Sequence, residues 1–407
     1  MAAKSWGDSM TVAARPATSR SQPRSWHSAL AGFCSLLLGI GLSRFGYTPI
    51  IPALIEAHWF SAADAAYLGA ANLMGYLVGA ALAHQLAHRV PPIVLVKAAM
   101  LLATACFFAC ALDWGFAWYF IWRLAAGITG GVLMVLAPSA VLAVTQAVWR
   151  GRVAGTIFTG VGVGAALSGT LVPWLVGFGL PTTWSVLGCA GLLLTALAWQ
   201  GWPSEAAATR AEQAKRATPP RLTASILLLM AAYATIGLGF VPHTVFWVDY
   251  IVRGLGQGLS RGGFYWVLMG SGAVCGPLLC GIAAERIGFA RTFAVALSLM
   301  ACLVALPLLS TQPAFLAISS LGVGAISLGT TALGSGSAAE LVPMAQQRQL
   351  WGWMTMLYAV AYAGSGYVLS FLFARSGDYR LLFALGAAGL LLGTCLALPG
   401  ALKPKRR

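Results

Sequence analysis

Gly39-Ile40-Gly41-Leu42-Ser43-Arg44-Phe45-Gly46-Tyr47-Thr48-Pro49-Ile50-Ile51-Pro52 lies in the outer half of a hydrophobic segment that begins near His27, and it carries a charge inside an apolar run. Arg44 cannot shed its proton. Insertion scales place an arginine at the bilayer centre at about 2.5–3.5 kcal/mol. At helical spacing Gly41, Arg44, Tyr47 and Thr48 share one face, which turns a polar stripe toward something other than lipid. Pro49 and Pro52 lack amide donors and are expected to bend or end the helix just beyond that stripe. Two readings compete for Arg44: a pin between this helix and a neighbour, or a binding group lining a polar cavity. The second is favoured.

The surrounding composition fixes the solvent. The chain has 407 residues, is 59% hydrophobic and 9% charged, and has a mean hydropathy of +0.81. Soluble domains carry about 25% charged residues, so this chain is solvated mainly by lipid. Apolar runs long enough to cross about 30 Å of hydrocarbon recur twelve times. Their approximate bounds are 28–53, 64–86, 93–112, 117–145, 153–178, 184–201, 223–248, 262–286, 291–310, 314–341, 349–374 and 380–400. The connection Pro203 to Arg221 is longer and charged, and it divides the runs six and six. The expected fold is therefore an all-α membrane protein of twelve transmembrane helices in two pseudo-symmetric six-helix bundles. Its expected parts are a disordered basic cytoplasmic tail at 1–26, bundles at 27–202 and 223–400, a cytoplasmic linker at 203–222, and a basic cytoplasmic tail at 401–407.

Charge placement gives the orientation. Eighteen of the 25 Lys and Arg fall in the tails and in the loops on the N-terminal side of the membrane; four (Arg253, Arg261, Arg375, Arg380) fall on the other. That asymmetry puts both termini of a multi-pass membrane protein in the cytoplasm. It also assigns the +15 net charge to anionic lipid headgroups and not to nucleic acid. The eight cysteines all sit in apolar runs without metal-ligand spacing, and no cofactor is expected. No paired carboxylates or nucleophile motif points to an enzyme. All ten acids map to tails, loops or helix ends, so no buried carboxylate relay is expected.

Weak internal repetition links the halves. Gly41-Leu42 and Thr48 match Gly237-Leu238 and Thr244 at an offset of 196, and Gly69 and Gly75 match Gly270 and Gly276 at an offset of 201. Parallel repeats suit a transporter whose site lies at the midplane between two bundles. The candidate lining residues follow. Arg123 is a second deep arginine, with snorkelling as its competing role, whereas snorkelling is the favoured reading of Lys97. Asn72 is polar and deep, and serves equally as interhelical glue. His243 shares a face with Gly239 and Trp247; a structural hydrogen-bonder is the competing reading. Trp351, Thr355, Tyr358, Tyr362 and Ser365 form one polar-aromatic stripe, and Ser320, Ser327, Thr331 and Ser335 a smaller polar face. The run Gly160-Val161-Gly162-Val163-Gly164 reads as a packing face.

These features resemble the major facilitator superfamily over nearly all of 27–400. Within it, GIGLSRFGYTPIIP at 39–52 and AAYLGAANLMGYLVGA at 65–80 are similar to the bacterial YbfB/YjiJ-type subfamily. The superfamily's conserved loop after the second helix is only partly kept, with His84 at the acid's place followed by Arg89. The counterpart after helix eight keeps Glu285 and Arg286, with Arg291 beyond. Arg123 in WRLAAGITGG resembles the superfamily's helix-four arginine motif. The resemblance implies alternating access by a rocker switch, with His84, Arg89, Glu285, Arg286 and Arg291 as gating residues and only the C-terminal latch intact. The expected function is secondary transport of a small organic solute bearing an anionic group. Arg44, Tyr47, Thr48, Asn72, Arg123, His243, Trp247, Tyr358 and Tyr362 are the expected binding residues, protons a candidate coupling ion, and a monomer the expected state. Efflux of amphipathic compounds and a non-transporting membrane sensor are the alternatives.

Overall fold

The computed structural model describes residues 22–146, 149–204 and 220–402; most of the expected N-terminal tail, residues 205–219 of the linker, residues 403–407 and the side chain of His84 lie outside the described residues. All regular structure described is helical. The first helix, α1, starts at Gln22, earlier than expected, runs as Gln22–Leu36, and then loses its regular pitch. It passes through a π-helical segment at Leu37–Leu42, a turn, a 3-10 turn at Thr48–Ile50 and a last piece at Ile51–Glu56. The break covers the stretch in which Gly39, Gly41 and Gly46 weaken the helix and Pro49 and Pro52 remove donors.

The remaining helices follow the apolar runs closely. They are α2 Ala62–Ala87, α3 Pro92–Ala109, α4 Gly115–Ala143, α5 Arg150–Val176 and α6 Leu180–Ala198. The second set comprises α7 Ala224–Val241 with its continuation, α8 Leu259–Ile287, α9 Phe289–Leu309, α10 Pro313–Leu341, α11 Met344–Ser376 and α12 Tyr379–Ala401. Like α1, α7 loses its pitch: a π segment at Pro242–Phe246 and a helical piece at Trp247–Asp249 lead to a second π segment at Tyr250–Gly254. Among the described residues eleven helices, counting α7 through Gly254, are long and apolar enough to cross a membrane, and α1 supplies the twelfth apolar helix in its broken form. Ser61 caps α2 by accepting the Asp64 amide, and Asp378 caps α12 by accepting that of Arg380.

The closest packing falls within each set of six, α2 against α4 in the first and α8 against α10 in the second; α3 also packs on α4 and α6, and α9 on α12. Glycine makes the repeated pair possible. A β-carbon at Gly75 would fall on the Leu124 carbonyl of α4, and one at Gly276 on the Ala325 carbonyl of α10. The two sets meet along α5 with α8 and α2 with α11, and where α1 meets α7. The glycine run of α5 packs on two sides at once: Gly160 and Gly164 lie on α1, while Gly162 faces Val274 and the Gly270 carbonyl of α8. Leucines and phenylalanines such as Leu193, Leu278 and Phe264 are left exposed on the outside, where lipid is their natural solvent.

The sets are not in contact along their whole length. Toward the side away from the Lys- and Arg-rich loops, hereafter the far side, α5 and α8 touch repeatedly: Gly169 against Val267, Gly263 against Pro173. One heptad from Gly162 and Val274 in the other direction, the same faces carry Gly155 and Gly281, and neither has any atom within 4 Å of a β-carbon built on it. The molecule is closed from mid-helix to the far side and parted toward the basic side.

Candidate functional site

The seal on the far side is formed where α1 and α7 both break. Thr48 Oγ1 donates to the Thr244 carbonyl, joining residues 196 positions apart, which is the offset of the internal repeat. Tyr362 Oη of α11 donates to Thr244 Oγ1 at 2.8 Å, and that hydroxyl donates to the Phe240 carbonyl at 3.0 Å. Phe45 meets Phe240 and Trp266 of the other set edge-on, with ring centroids 6.5 and 5.9 Å apart. Trp266 Nε1 crosses to Ser168 Oγ of α5 at 3.0 Å.

Arg44 lies just on the basic side of this seal. Of residues 41–50 it alone keeps partial exposure. Its guanidinium carbon is 4.3 Å from the Tyr362 ring, 5.3 Å from Tyr76 of α2 and 5.4 Å from its neighbour Phe45. Aromatic faces stabilise a cation by roughly 0.5–1 kcal/mol when exposed and about 2 when desolvated. They do not use its N–H donors. Nε is buried without a partner, and no described residue hydrogen-bonds the terminal nitrogens, which are not buried. A permanently charged, forked donor at the seam of the two sets, with no acceptor among the described residues, has the geometry to bind a carboxylate or phosphate in two-pronged fashion.

Arg123 has a different situation. It is only 2% exposed, donates from Nη1 to the Ser43 carbonyl at 2.9 Å, and lies 4.1 Å over the Tyr47 ring. Ser43 belongs to the turn where α1 breaks, so this arginine satisfies backbone that the broken helix leaves open. Asn72 Nδ2 in turn donates to the Arg123 carbonyl at 3.2 Å, while its Oδ1 is buried without a partner. Tyr47 is stacked on Trp184 of α6 and donates to the Ala65 carbonyl at 2.9 Å. The single face expected for Arg44, Tyr47 and Thr48 is therefore split. The turn after the π segment, closed by the Tyr47 amide on the Arg44 carbonyl at 3.3 Å, takes the chain out of α-helical phase, sending Tyr47 into its own set and Arg44 and Thr48 toward the other.

His243 is fully buried, with Nε2 2.9 Å from Ser319 Oγ and its ring stacked on Trp247 at 4.5 Å. Ser319 Oγ already donates to the Leu303 carbonyl, so the imidazole must donate from Nε2, leaving Nδ1 as an unpartnered acceptor. Trp247 Nε1 donates to Ser320 Oγ. These two residues face α10 inside their own set, away from Arg44. The α11 stripe does come together: Trp351 meets Tyr233 at 5.3 Å, Tyr233 meets Tyr358 at 5.7 Å, and Tyr358 stacks on Tyr362 at 5.5 Å. This column runs from the basic side up to Arg44. Lys97 lies 4.6 Å from the Trp199 ring. Arg89, Glu285 and Arg286 are exposed, and the latter two form no ion pair with a described residue. Arg291 Nε instead donates to the Ala401 carbonyl near the end of α12.

Three features escape a reading by helical spacing. Tyr76 and Tyr233 join the aromatic surround from α2 and α7, where the sequence reading singles out Asn72, His243 and Trp247 beside the glycines. Phe45 and Trp266 look like ordinary core aromatics until the sets are brought face to face. Asp249 corrects the expectation that every acid is at an unburied end: it is 2% exposed, within the far-side part of α7, paired with Arg253 at 3.3 Å and bonded by Tyr379 Oη. Its spacing of four from Arg253 was the available signal.

A family model described as uncharacterised MFS-type transporter YbfB matches residues 36–398. The crystal structure of a D-xylose–proton symporter superposes with a TM-score of 0.69, at 15% identity, covering 94% of this chain and 97% of that one. No curated protein matches the sequence. In all, 307 solved chains match, so the fold is widespread and says nothing by itself of what is carried.

Proposed function

The chain belongs to the YbfB-type family of major facilitator superfamily transporters, and from that premise we propose that it carries a small organic solute with an anionic group by alternating access between two six-helix bundles. The bundles correspond to 27–202 and 223–400, and the cycle is driven by a secondary gradient. The positive-inside bias of the basic loops supports a cytoplasmic parted side, with both termini there, in a protein of the bacterial inner membrane. The form described above is then the inward-facing one. Exposed Glu285 and Arg286, unpaired, are what a cytoplasmic latch looks like when that side is open.

One observation carries the choice of solute: the Arg44 guanidinium, ringed by aromatics, has no hydrogen-bond acceptor among the described residues. A cationic solute would meet repulsion there, and a neutral one would leave the donors unused. Arg123 supports the site by fixing the turn that presents Arg44, and Tyr362, Tyr76 and Tyr358 form its walls. A second reading, export of amphipathic compounds, draws on the aromatic column Trp351–Tyr233–Tyr358–Tyr362. Flux of labelled anionic, neutral and cationic solutes into proteoliposomes separates the two. Saturable movement of an anion, lost in Arg44→Ala, is the expected result. Flux of bulky cations with Arg44 dispensable would transfer the function to the aromatic column, and binding without flux would make the protein a sensor.

A further inference from the structure

Asp249 is a buried carboxylate that solute recognition at Arg44 does not use. It ends the short helical piece Trp247–Asp249 between the two π segments of α7. That piece packs across the seam against Thr48–Ile50 and Ile51–Glu56 of α1, a few residues from the Thr48–Thr244 bond. Any opening of the far side must pull α1 off this piece and admit water to the carboxylate. Its exposure is thus tied geometrically to the conformation.

The groups around it leave room for either protonation state. Tyr379 Oη of α12 is hydrogen-bonded to Oδ2; a hydroxyl can donate to a carboxylate or accept from a carboxylic acid. Arg253, on the same helix, is 3.3 Å away, but its side chain is 32% exposed, so water weakens its hold. Tyr250 packs its ring on Tyr379. From α1, Glu56 acts on the carboxylate as a like charge across the seam, and Tyr47 lies near enough to feel the carboxylate's charge. From α8 the neighbours are apolar, with Gly262 set against Val248 and Val252. A recess of about 270 Å³ on the far side is lined by Ala62, Ala63, Arg253, Phe373 and Tyr379. Tyr379 is thus common to the lining of the recess and to the hydrogen bonding of the carboxylate.

We propose that Asp249 is a proton-binding site of the far-side gate: it takes up a proton when the far side closes and releases it to far-side water when that side opens. The sign follows from solvation. An ionised carboxylate is costly to bury and gains from water, whereas the neutral acid is tolerated in the closed seam. Acid therefore favours the closed far side, and alkali favours its opening. For one proton the closed-to-open ratio falls by at most about tenfold per pH unit.

Spin labels at Ala57 and Ser376, exposed at the far ends of α1 and α11, report the opening as a distance distribution in the purified protein in lipid nanodiscs, with no solute needed. Between pH 5 and 9 the wild type is expected to move from mostly closed toward open. Asp249→Asn, a fixed neutral mimic, is expected to stay closed throughout, and Asp249→Glu to respond with a displaced midpoint. If Asp249→Asn does not fold, Tyr379→Phe serves: its midpoint must move because the ionised carboxylate loses a stronger hydrogen bond than the neutral acid does. A wild type without pH response, an Asn variant that responds as wild type does, or an unmoved Phe midpoint overturns the assignment. Each leaves anion recognition at Arg44 standing, since that is read by solute flux.

Discussion

Replacing Thr48 by valine keeps the shape and apolar contacts of the side chain and removes its hydrogen bond to the Thr244 carbonyl. A net intramolecular hydrogen bond contributes about 0.5–1.5 kcal/mol. The loss falls on the closed state alone, because only there do α1 and α7 meet. The closed-to-open ratio should therefore fall about two- to thirteenfold by the relation between free energy and population. Trp266→Phe removes the second bond across the seam, Nε1 to Ser168, while an aromatic ring stays against Phe45. The two bonds lie on different helix pairs, so their effects should add to about 1–3 kcal/mol in the double variant. The assay is the distance between labels at Ala57 and Ser376 at one fixed pH, with thermal stability followed separately. Populations unchanged in both single variants and in the double would mean that aromatic packing alone closes the far side. A drop in melting temperature without a shift in distance would mean that the bonds hold each helix and not the seam.

Other substitutions test the site and the packing. Arg44→Ala should weaken binding of an anionic solute by about 3 kcal/mol, the high end for a charged hydrogen bond, or roughly a hundredfold; Arg44→Lys should recover part of that, as read by ligand-induced thermal stabilisation. An anion bound equally by Arg44→Ala would demote Arg44 to a packing residue. Gly75→Val and Gly276→Val each force carbons into a helix backbone and should lower stability by about 1–3 kcal/mol or more, whereas Gly155→Val, in open space, should change it little in the parted form. Arg123→Ala should reduce stability as well as solute affinity by freeing the Ser43 carbonyl, seen as a lower melting temperature without solute. Reporter fusions after residue 204 and after Gly256 should read opposite sides of the membrane, cytoplasmic and external respectively; agreement between them would break the orientation given by the basic loops.

The number and order of the helices were legible because lipid demands long apolar runs, and nothing in water-soluble folding competes with that signal. Spans such as 314–341 and 380–400 lie within a residue of α10 and α12. Arg44 also stood out, since a charge in such a run has few explanations. What spacing failed to give was the direction of its neighbours. The π segment of α1 ends before Arg44 and the turn that follows closes over three residues and not four, so a periodicity of 3.6 misplaces Tyr47 with respect to Arg44. Arg123 looked equivalent to Arg44 because burial depth can be read from a sequence and a backbone carbonyl partner cannot. Asp249 hid for the opposite reason: it sits near a helix end, and only packing from α1 and α12 buries it.

The glycine line where α5 meets α8 has a mechanical consequence. Gly162, Gly169, Gly263 and Gly270 set backbone against backbone, with few side-chain rotamers between them. Such a joint resists separation through van der Waals contact yet has little to unlock when its two rods tilt. It behaves as a pin. One half can roll about that line while the contact along it persists; one directional bond, Trp266 to Ser168, lies on the line, and the other, Thr48 to the Thr244 carbonyl, lies away from it. Stiffness and freedom are thus divided between different parts of one interface, and a β-carbon added to the pin should jam the motion before it loosens the fold.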